Sequence, residues 1–223
     1  MTLCSLGYPD QALKKVHEAL ILAQGLSHPL SLAVALYYAA RLHQARRERQ
    51  EAQERAETLI ALSREQEFAL TLAWGTIYRG WALAEQGQVE EGIAQIRQGL
   101  TAYRATGAEM EWPHYLALLA EACGKLGQTE EGLSALTEAL AIVHKNGERE
   151  YETELYRLKG ELTLAQSRVQ GLASSVQKEA EECFQKAIEV ARKQQAKSLE
   201  LRAVMSLSRL WQQQGKKPRH GRC

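Results

Sequence analysis

Residues 74–100, WGTIYRGWALAEQGQVEEGIAQIRQGL, decide the fold, because small residues in this stretch recur along the chain at a fixed interval. Gly80 has counterparts at steps of 40 residues, which are Ala40, Ala120 and Gly160. Gly92 has counterparts at the same step, which are Ala12, Ala52 and Gly132. Self-similarity at a period of roughly 20 to 50 residues is typical of repeat arrays. The chain is therefore expected to repeat one structural unit along most of its length.

The composition favours helices over strands. The 223 residues are 45% apolar and 25% charged, with only two Phe and four Pro. Ala, Leu, Glu and Gln are abundant, and all four have high helix propensity. We therefore expect an all-α fold, and the repeat indicates a right-handed α-solenoid of antiparallel helix pairs.

The charge balance gives no support for a nucleic-acid partner. The chain has 28 Lys and Arg against 27 Asp and Glu, a formal net charge of +1. Domains that bind nucleic acid usually carry a clear basic excess or a basic stripe. Binding to nucleic acid is therefore unsupported by the sequence.

The cysteines and the N-terminus indicate a cytoplasmic protein. Cys4, Cys123, Cys183 and Cys223 form no Cys-x-x-Cys pair, so we expect buried thiols and neither a zinc site nor a disulfide framework. The N-terminus has no basic segment followed by a long apolar core. The longest nearly apolar run, 30–42, is too short to span a bilayer, so no membrane anchoring is expected.

The repeat divides the chain into units of two helices within one superhelix over 1–215. The predicted divisions are a partial unit over 1–25, complete units over 29–64, 67–105, 112–145 and 148–195, and a last helix over 198–214. Within the fourth complete unit the step between small residues grows from 40 to 48, since Ala180 matches Gly132. We assign the extra residues to an enlarged turn near 168–178, and we expect the basic tail 216–223 to be disordered.

The turns and the internal glycines predict how the helices pack. Gly87 and Gly127 stand where a helix end favours the left-handed conformation, whereas Arg47-Glu48 lacks a glycine and should form a less sharply defined turn. Gly80 and Gly92 lie inside predicted helices, where glycine costs about 1 kcal/mol relative to Ala. Close approach of the two helices must offset that cost.

These features resemble the tetratricopeptide repeat (TPR). Small residues at positions eight, twenty and twenty-seven of each unit, with a larger apolar residue at twenty-four, match that family. Its units are usually about 34 residues long, so the step in this chain is longer. Longer units of this kind resemble the TPR-like arrays of large bacterial signalling ATPases of the STAND type.

Three segments resemble, more specifically, the C-terminal region of bacterial proteins that join a cyclase or DNA-binding domain to an AAA-type ATPase. They are GWALAEQGQVEEGIAQIRQGL (80–100), GEREYETELYRLKGELTLAQ (147–166) and AEECFQKAIEVARKQQAKSLELRAVMSLSRLWQQQGK (180–216). The resemblance implies a regulatory or partner-binding segment and carries no catalytic residue over. The Gly-x-x-x-x-Gly-Lys-Ser/Thr phosphate loop does not occur in the sequence.

The polar residues do not form the patterns of an active site. The six histidines have neither His-x-x-x-His spacing nor neighbouring ligands suited to a metal. The pairs Glu90-Glu91, Glu130-Glu131 and Glu181-Glu182 recur in the first turn of a predicted helix, where acidic residues stabilise the helix dipole. We therefore expect no enzyme activity, no cofactor and no metal.

The remaining functional signal is the concave face, which the first helix of each unit lines in such superhelices. The candidate partner-binding residues at inward positions are Tyr37, Arg41, Trp74, Trp81, His114, Glu121, Arg157 and Glu161. Aromatic and Arg side chains dominate binding hot spots. The two tryptophans either line this concave groove or fill space between the helices, and the sequence leaves both open.

Two functions fit these features. The first is a scaffold that binds a partner segment or a neighbouring domain in the concave groove. The second is a sensory module that binds a small effector and signals to an ATPase or cyclase domain. Both ends of the array should also expose apolar faces, so we expect either end-to-end pairing of copies or a place within a longer protein.

Overall fold

The computed structural model describes residues 2–170 and 174–214, except the side chains of 167–170 and 174. All regular elements in these ranges are α-helices. In chain order they are α1 (Thr2–Ser5), α2 (Pro9–Gly25), α3 (Pro29–Arg46), α4 (Arg49–Glu65), α5 (Ala69–Glu85), α6 (Val89–Ala105), α7 (Trp112–Leu126), α8 (Thr129–Asn146), α9 (Glu152–Gln170), α10 (Ser174–Lys193) and α11 (Lys197–Gln213).

The helices pack in sequential pairs. α3 packs on α4, α5 on α6, α7 on α8 and α9 on α10, while α2 and α11 belong to the incomplete units at the two ends. The first helices of successive units also contact one another, in the order α3, α5, α7, α9 and α11. The predicted fold class, an all-α, right-handed solenoid of antiparallel helix pairs, is confirmed.

Contacts between backbones explain the small residues that define the repeat. A Cβ atom added to Gly80 would lie 2.7 Å from the carbonyl oxygen of Gly92, and one added to Gly92 would lie 2.6 Å from that of Gly80. No side chain fits at these separations, so α5 and α6 touch through their backbones. The close approach brings the larger apolar side chains beside it into contact, which offsets the low helix propensity of glycine.

Left-handed residues end several of the helices. Gly127 takes φ 79°, and the amide of Gln128 then donates to the carbonyl of Cys123 at 2.9 Å. Arg47 takes the same conformation, with φ 64°, and the amide of Glu48 donates to the carbonyl of His43, also at 2.9 Å. The expectation of a less defined turn at Arg47 is therefore wrong, because ion pairs of its side chain hold a conformation that glycine adopts more readily.

The extra residues of the fourth complete unit lengthen its helices. Gly80 precedes the end of α5 by five residues, whereas Gly160 precedes the end of α9 by ten. Similarly, Gly92 follows the start of α6 by three residues, and Ala180 follows the start of α10 by six. The prediction of an enlarged turn near 168–178 is therefore wrong for residues 168–170 and 174–178, which are helical. Residues 171–173, and the predicted disordered tail 216–223, lie outside the described residues.

The curvature of the array brings its first and last elements into contact. The Ser198 hydroxyl of α11 donates to the carbonyl of Cys4 in α1 at 2.7 Å. Arg202, one turn further along α11, donates to the carbonyl of Ala45 near the end of α3. The superhelix therefore closes around its axis within the described residues. None of the described helices is both long enough and apolar enough to cross a bilayer.

We predict that Gly80→Ala lowers stability by about 1–3 kcal/mol, since the added methyl group would force α5 and α6 apart. Gly25→Ala is the matched control, because a Cβ atom there has no neighbour within 4 Å and should stabilise α2 by up to about 1 kcal/mol. Urea unfolding followed by far-UV circular dichroism measures both changes. Equal unfolding midpoints for the two variants would contradict the proposed backbone contact.

Candidate functional site

The structure brings the predicted partner-binding residues together at the superhelix axis. They come from α3, α5, α7 and α9, the first helices of successive units. The buried members are Tyr37, Arg41, Trp81, His114 and Arg157. The half-buried members are Trp74, Glu121 and Glu161. Most of this set therefore belongs to the interior in this structure, and the three half-buried side chains remain partly accessible.

An aromatic column runs along the axis from the first complete unit. The ring of Trp74 stacks on Tyr37, with centroids 4.2 Å apart. Further along, the hydroxyl of Tyr78 lies 3.0 Å from Nε2 of His114, whose ring stacks on Tyr151 at 3.9 Å. Burial, followed by the charge of nearby Arg41, holds the pKa of His114 well below its ordinary value. His114 is therefore a neutral core side chain at neutral pH.

Arg41 connects the first complete unit to the loops of later units. It donates to Glu111, which precedes α7, to Glu150 at 3.0 Å, and to the hydroxyl of Tyr151 at 2.6 Å. The Tyr37 hydroxyl also donates to Glu111. The sequence pattern predicted Arg41 and Tyr37 as site residues but did not predict their partners Glu111, Glu150 and Tyr151. These partners lie in segments that connect helices, and the repeat pattern applies only to the helices.

A second cluster of charges lies where the array closes. Arg157 donates to both carboxylate oxygens of Glu154, at 3.0 and 2.6 Å, and contacts Glu161 at 2.6 Å. Arg47 and Arg202 each lie 3.6 Å from the same Glu154. Burial would raise the pKa of Glu154, but Arg157, then Arg202 and Arg47, outweigh it and lower the pKa to about 2. One carboxylate thus joins three arginines from three parts of the chain.

The structure answers the question of the two tryptophans separately for each. Trp81 is only 1% exposed, and its indole Nε1 donates to Glu121 at 3.1 Å, so it is a core residue. Trp74 is half-buried and stacks at the edge of the aromatic column. The inner face is filled because the tight curvature brings the loops before α7 and α9 against α3.

A small axial cavity remains at the point of closure. Its volume is about 70 Å³, and its walls come from α1, α3, α7, α9 and α11. The polar residues around it include Gln44, Arg47, Glu121, Glu154, Ser198 and Arg202. Gln44 is 7% exposed and forms part of the cavity wall. These polar side chains make the cavity suited to water or a small polar molecule.

A larger apolar opening lies between α2 and α3, which we call the first-end groove. It has a volume of about 280 Å³ and is lined by Leu3, Ala12, Val16, Ala19, Tyr38 and Leu42, with Thr2 and Lys15 at its edges. In each complete unit the first helix covers the matching face of the second helix. In the partial unit, which precedes the first complete unit, only the short helix α1 covers this face of α2. Tyr38 is accordingly 44% exposed.

The opposite end also exposes apolar side chains. On α11, Leu201 is 61% exposed and Met205, one turn later, is 45% exposed. Within the described residues no second helix follows α11 to cover them. Apolar side chains are therefore exposed at both ends of the described array.

The described residues contain no cluster of His, Cys, Asp and Glu that could hold a metal ion. Cys4, Cys123 and Cys183 are buried free thiols, and burial raises the pKa of each. A thiol with a raised pKa is a weak nucleophile at neutral pH, which is typical of a structural cysteine.

The chain is similar to solved TPR-like repeat structures. One is a crystal structure of a Podosopora anserina putative kinesin light chain with nearly identical TPR-like repeats. It is 22% identical over 85% of this chain and 89% of that chain, with a TM-score of 0.51. Another is BtubC (BKLC) from P. vanneervenii, 14% identical over 96% of this chain and 94% of that chain, with a TM-score of 0.51.

These likenesses establish a TPR-like fold for the chain. No protein-family model matches the sequence, and no curated protein matches it either. The resemblance to the bacterial signalling ATPases therefore rests on the sequence segments alone.

Glu154→Gln should change how stability depends on pH. The pKa of Glu154 is about 2 in the fold against an ordinary value of 4.5, so its contribution is complete above pH 4.5 and is lost as the pH falls towards 2. The variant should be less stable at pH 7 by about 3–5 kcal/mol, because Arg157 loses a buried partner. Its stability should also fall less on acidification.

Urea unfolding at several pH values tests this expectation. Glu54→Gln, at an exposed position on α4, serves as the control and should keep the wild-type profile. Parallel pH profiles for the wild type and Glu154→Gln would show that this carboxylate does not stabilise the closed array.

Proposed function

We propose that the chain is a non-catalytic scaffold for protein–protein interaction that binds a helical segment in the first-end groove. The segment belongs to a partner protein or to a neighbouring domain of the same protein. The open apolar groove between α2 and α3 carries this proposal, because it offers a surface that every complete unit covers with a helix. An amphipathic helix in an apolar groove is a common mode of peptide recognition.

The shape of the groove favours a helix over an extended peptide. Ala12 and Ala19 give α2 a shallow, smooth wall, with Val16 between them as the larger side chain. From Tyr38 the apolar surface of α3 continues at four-residue steps to the half-buried Val34 and the exposed Leu30. A helix presents side chains at the same spacing, so its apolar face can contact both walls along several turns.

The predicted concave-face residues take a supporting role in this proposal. Tyr37 and Trp74 stack directly behind Tyr38, whose ring lies 4.9 Å from that of Tyr37. The half-buried Trp74 therefore offers aromatic surface beside the groove, and Glu121 and Glu161 offer charge further along the axis. For the other four buried candidates, partner contact requires the closed array to open; they are Arg41, Trp81, His114 and Arg157.

We further propose that the chain is a regulatory segment of a larger bacterial signalling protein in the cytoplasm. The support is the resemblance of residues 80–100, 147–166 and 180–216 to arrays that follow ATPase domains. The buried free thiols of Cys4, Cys123 and Cys183 are consistent with a reducing compartment. In such a protein the first-end groove would receive a helix from a neighbouring domain.

A photo-crosslinker placed at Tyr38 tests the binding surface. We expect benzoylphenylalanine at this position to form a discrete adduct in cells, because the side chain faces the groove and is partly exposed. The same crosslinker at Met110, which is 73% exposed outside the groove, is the control. Ala19→Glu, which places a charge in the groove, should suppress the Tyr38 adduct. An identical adduct pattern at both positions, or an adduct that persists with Ala19→Glu, would contradict helix binding in this groove.

The axial cavity favours a second candidate function, that of a sensory module for a small effector. Arg47 lies at the end of α3 and Arg202 in α11, so a ligand that contacted both would join the first complete unit to the last helix. The Gln44 amide, which lines the cavity, offers it a donor and an acceptor. Such a ligand would stabilise the closed curvature and could report its presence to an attached ATPase or cyclase domain.

Thermal-shift screening against small polar metabolites tests the sensory candidate. A true effector should raise the unfolding temperature of the wild type, and Gln44→Leu should remove that rise because it removes an amide from the cavity wall. Glu54→Gln is again the control and should respond like the wild type. An equal rise in Gln44→Leu would place the ligand outside the axial cavity.

A further inference from the structure

We infer that residues 147–151, which connect α8 to α9, occupy a binding pocket whose external ligand is a partner segment with a tyrosine beside an acidic residue. We call this connection the inner loop and the site the Arg41 pocket. Arg41 of α3 and His114 of α7 form the pocket, and Tyr151 and Glu150 of the inner loop fill it. The pocket is separate from the first-end groove, so it adds a second binding surface to the proposed function.

The Tyr151 side chain makes contacts that are typical of a bound ligand. Its hydroxyl oxygen accepts from Nε and Nη2 of Arg41 at 2.9 and 2.6 Å. Its ring stacks on that of His114, with centroids 3.9 Å apart, and the guanidinium carbon of Arg41 lies 5.4 Å from the centre of the same ring. Arg41 and His114 are each only 2% exposed. The phenol of Tyr151 thus meets a buried charged donor and a buried ring face together.

Glu150 supplies the negative charge that accompanies the phenol. Arg41 donates to it through Nη2 at 3.0 Å, while the Glu150 side chain is 50% exposed. Arg149, one residue earlier in the inner loop, is also exposed, and Tyr151 is half-buried. Solvent therefore reaches the loop from outside, and a partner segment can replace the loop's two side chains without separating any helix pair.

The inner loop is longer than a connection between two units needs to be. In the described array, the connections before α3, α5 and α11 have three residues each; they are 26–28, 66–68 and 194–196. The two longer connections are 106–111 and 147–151, and both bind Arg41, through Glu111 and through Glu150 with Tyr151. The added length therefore places acidic and aromatic side chains against α3.

Like charges weaken the hold of the inner loop on its pocket. Glu111 and Glu150 both bind the single guanidinium of Arg41, and Glu148 accepts the amide of Glu111 at 2.7 Å. Burial, together with the charges of Glu111 and Glu150, raises the pKa of Glu148. Repulsion among these carboxylates opposes docking of the loop, so a segment with one acidic residue beside its tyrosine can compete.

The inner loop competes with any external segment because both seek the same pocket and the loop is part of the chain. A short flexible tether holds a ligand at an effective concentration on the order of millimolar. An external segment therefore shows a lower affinity for the wild type than for a vacant pocket. Removal of the Tyr151 side chain should uncover this difference.

Binding of a labelled peptide tests the inference. The probe is a fluorescein-labelled peptide with the sequence of residues 147–153, GEREYET. In fluorescence anisotropy it should bind the whole chain with Tyr151→Ala at least about tenfold more tightly than the wild type, because the variant leaves the Arg41 pocket vacant. The matched control is Tyr156→Ala, at a half-buried tyrosine of α9 outside the pocket, and it should bind the peptide like the wild type.

Changes in the peptide test the chemistry of recognition without altering the protein. Tyr151→Phe in the peptide removes the oxygen that accepts from Arg41 and should weaken binding to the Tyr151→Ala protein roughly tenfold. A second protein variant, Glu150→Ala, lies at an exposed site that the fold should tolerate. It should raise the affinity for the unaltered peptide about threefold, because the loop loses one partly exposed ion pair.

Two results would overturn the inference. One is equal affinity of the peptide for the wild type, for Glu150→Ala and for a Tyr151→Ala variant whose circular dichroism shows it to be folded. The other is unchanged affinity when the peptide carries Tyr151→Phe.

Ala19→Glu separates the Arg41 pocket from the first-end groove. Combined with Tyr151→Ala, it should leave the affinity for the peptide unchanged, because Ala19 lines only the first-end groove. A loss of affinity in this combination would place the peptide in the first-end groove. The inference about the Arg41 pocket would then fail, while the proposed function would stand.

Discussion

The backbone contact between the two helices of a unit sets the geometry of the whole array. At Gly80 and Gly92 the chains approach so closely that no Cβ atom fits between them. The larger neighbours, such as Ile96 and Leu100, can then fill the space on either side of the contact. Because small residues return at the same step, successive units repeat nearly the same angle, and this repetition generates the curvature.

The curvature in turn determines what the inner face can contain. It brings Arg41 against the loops before α7 and α9, and it brings Arg202 of α11 to the end of α3. Buried charges are costly unless they are paired, and these charges find their partners in units far away along the chain. Charged side chains that pair across the axis therefore stabilise the closed superhelix. Apolar packing stabilises the helix pair within each unit.

The sequence predicted the helices and their pairing well, because both depend on local spacing. The step from Gly80 to Gly160 and the glycines at the turns are visible without any knowledge of the fold. The Arg47 turn and the lengthened α9 and α10 were predicted wrongly. A left-handed Arg depends on distant carboxylates such as Glu121, and helix continuation beyond the periodic region leaves no apolar pattern to recognise.

The candidate site was only partly predictable from the sequence. Helical spacing placed Tyr37 on the inner face of the superhelix, but whether the superhelix closes depends on the summed rotation of several units. Partners in connecting segments, such as Glu111, follow no repeat and could be found only from the structure.

The lengthened hairpin of α9 and α10 has a consequence for the design of variants. Five residues are added to the end of α9 and three to the start of α10, and Gly160 still faces Phe184. The hairpin is thus lengthened without loss of the contact between its two helices at Gly160. It therefore offers a place where a reporter domain could be inserted while the rest of the array keeps its shape.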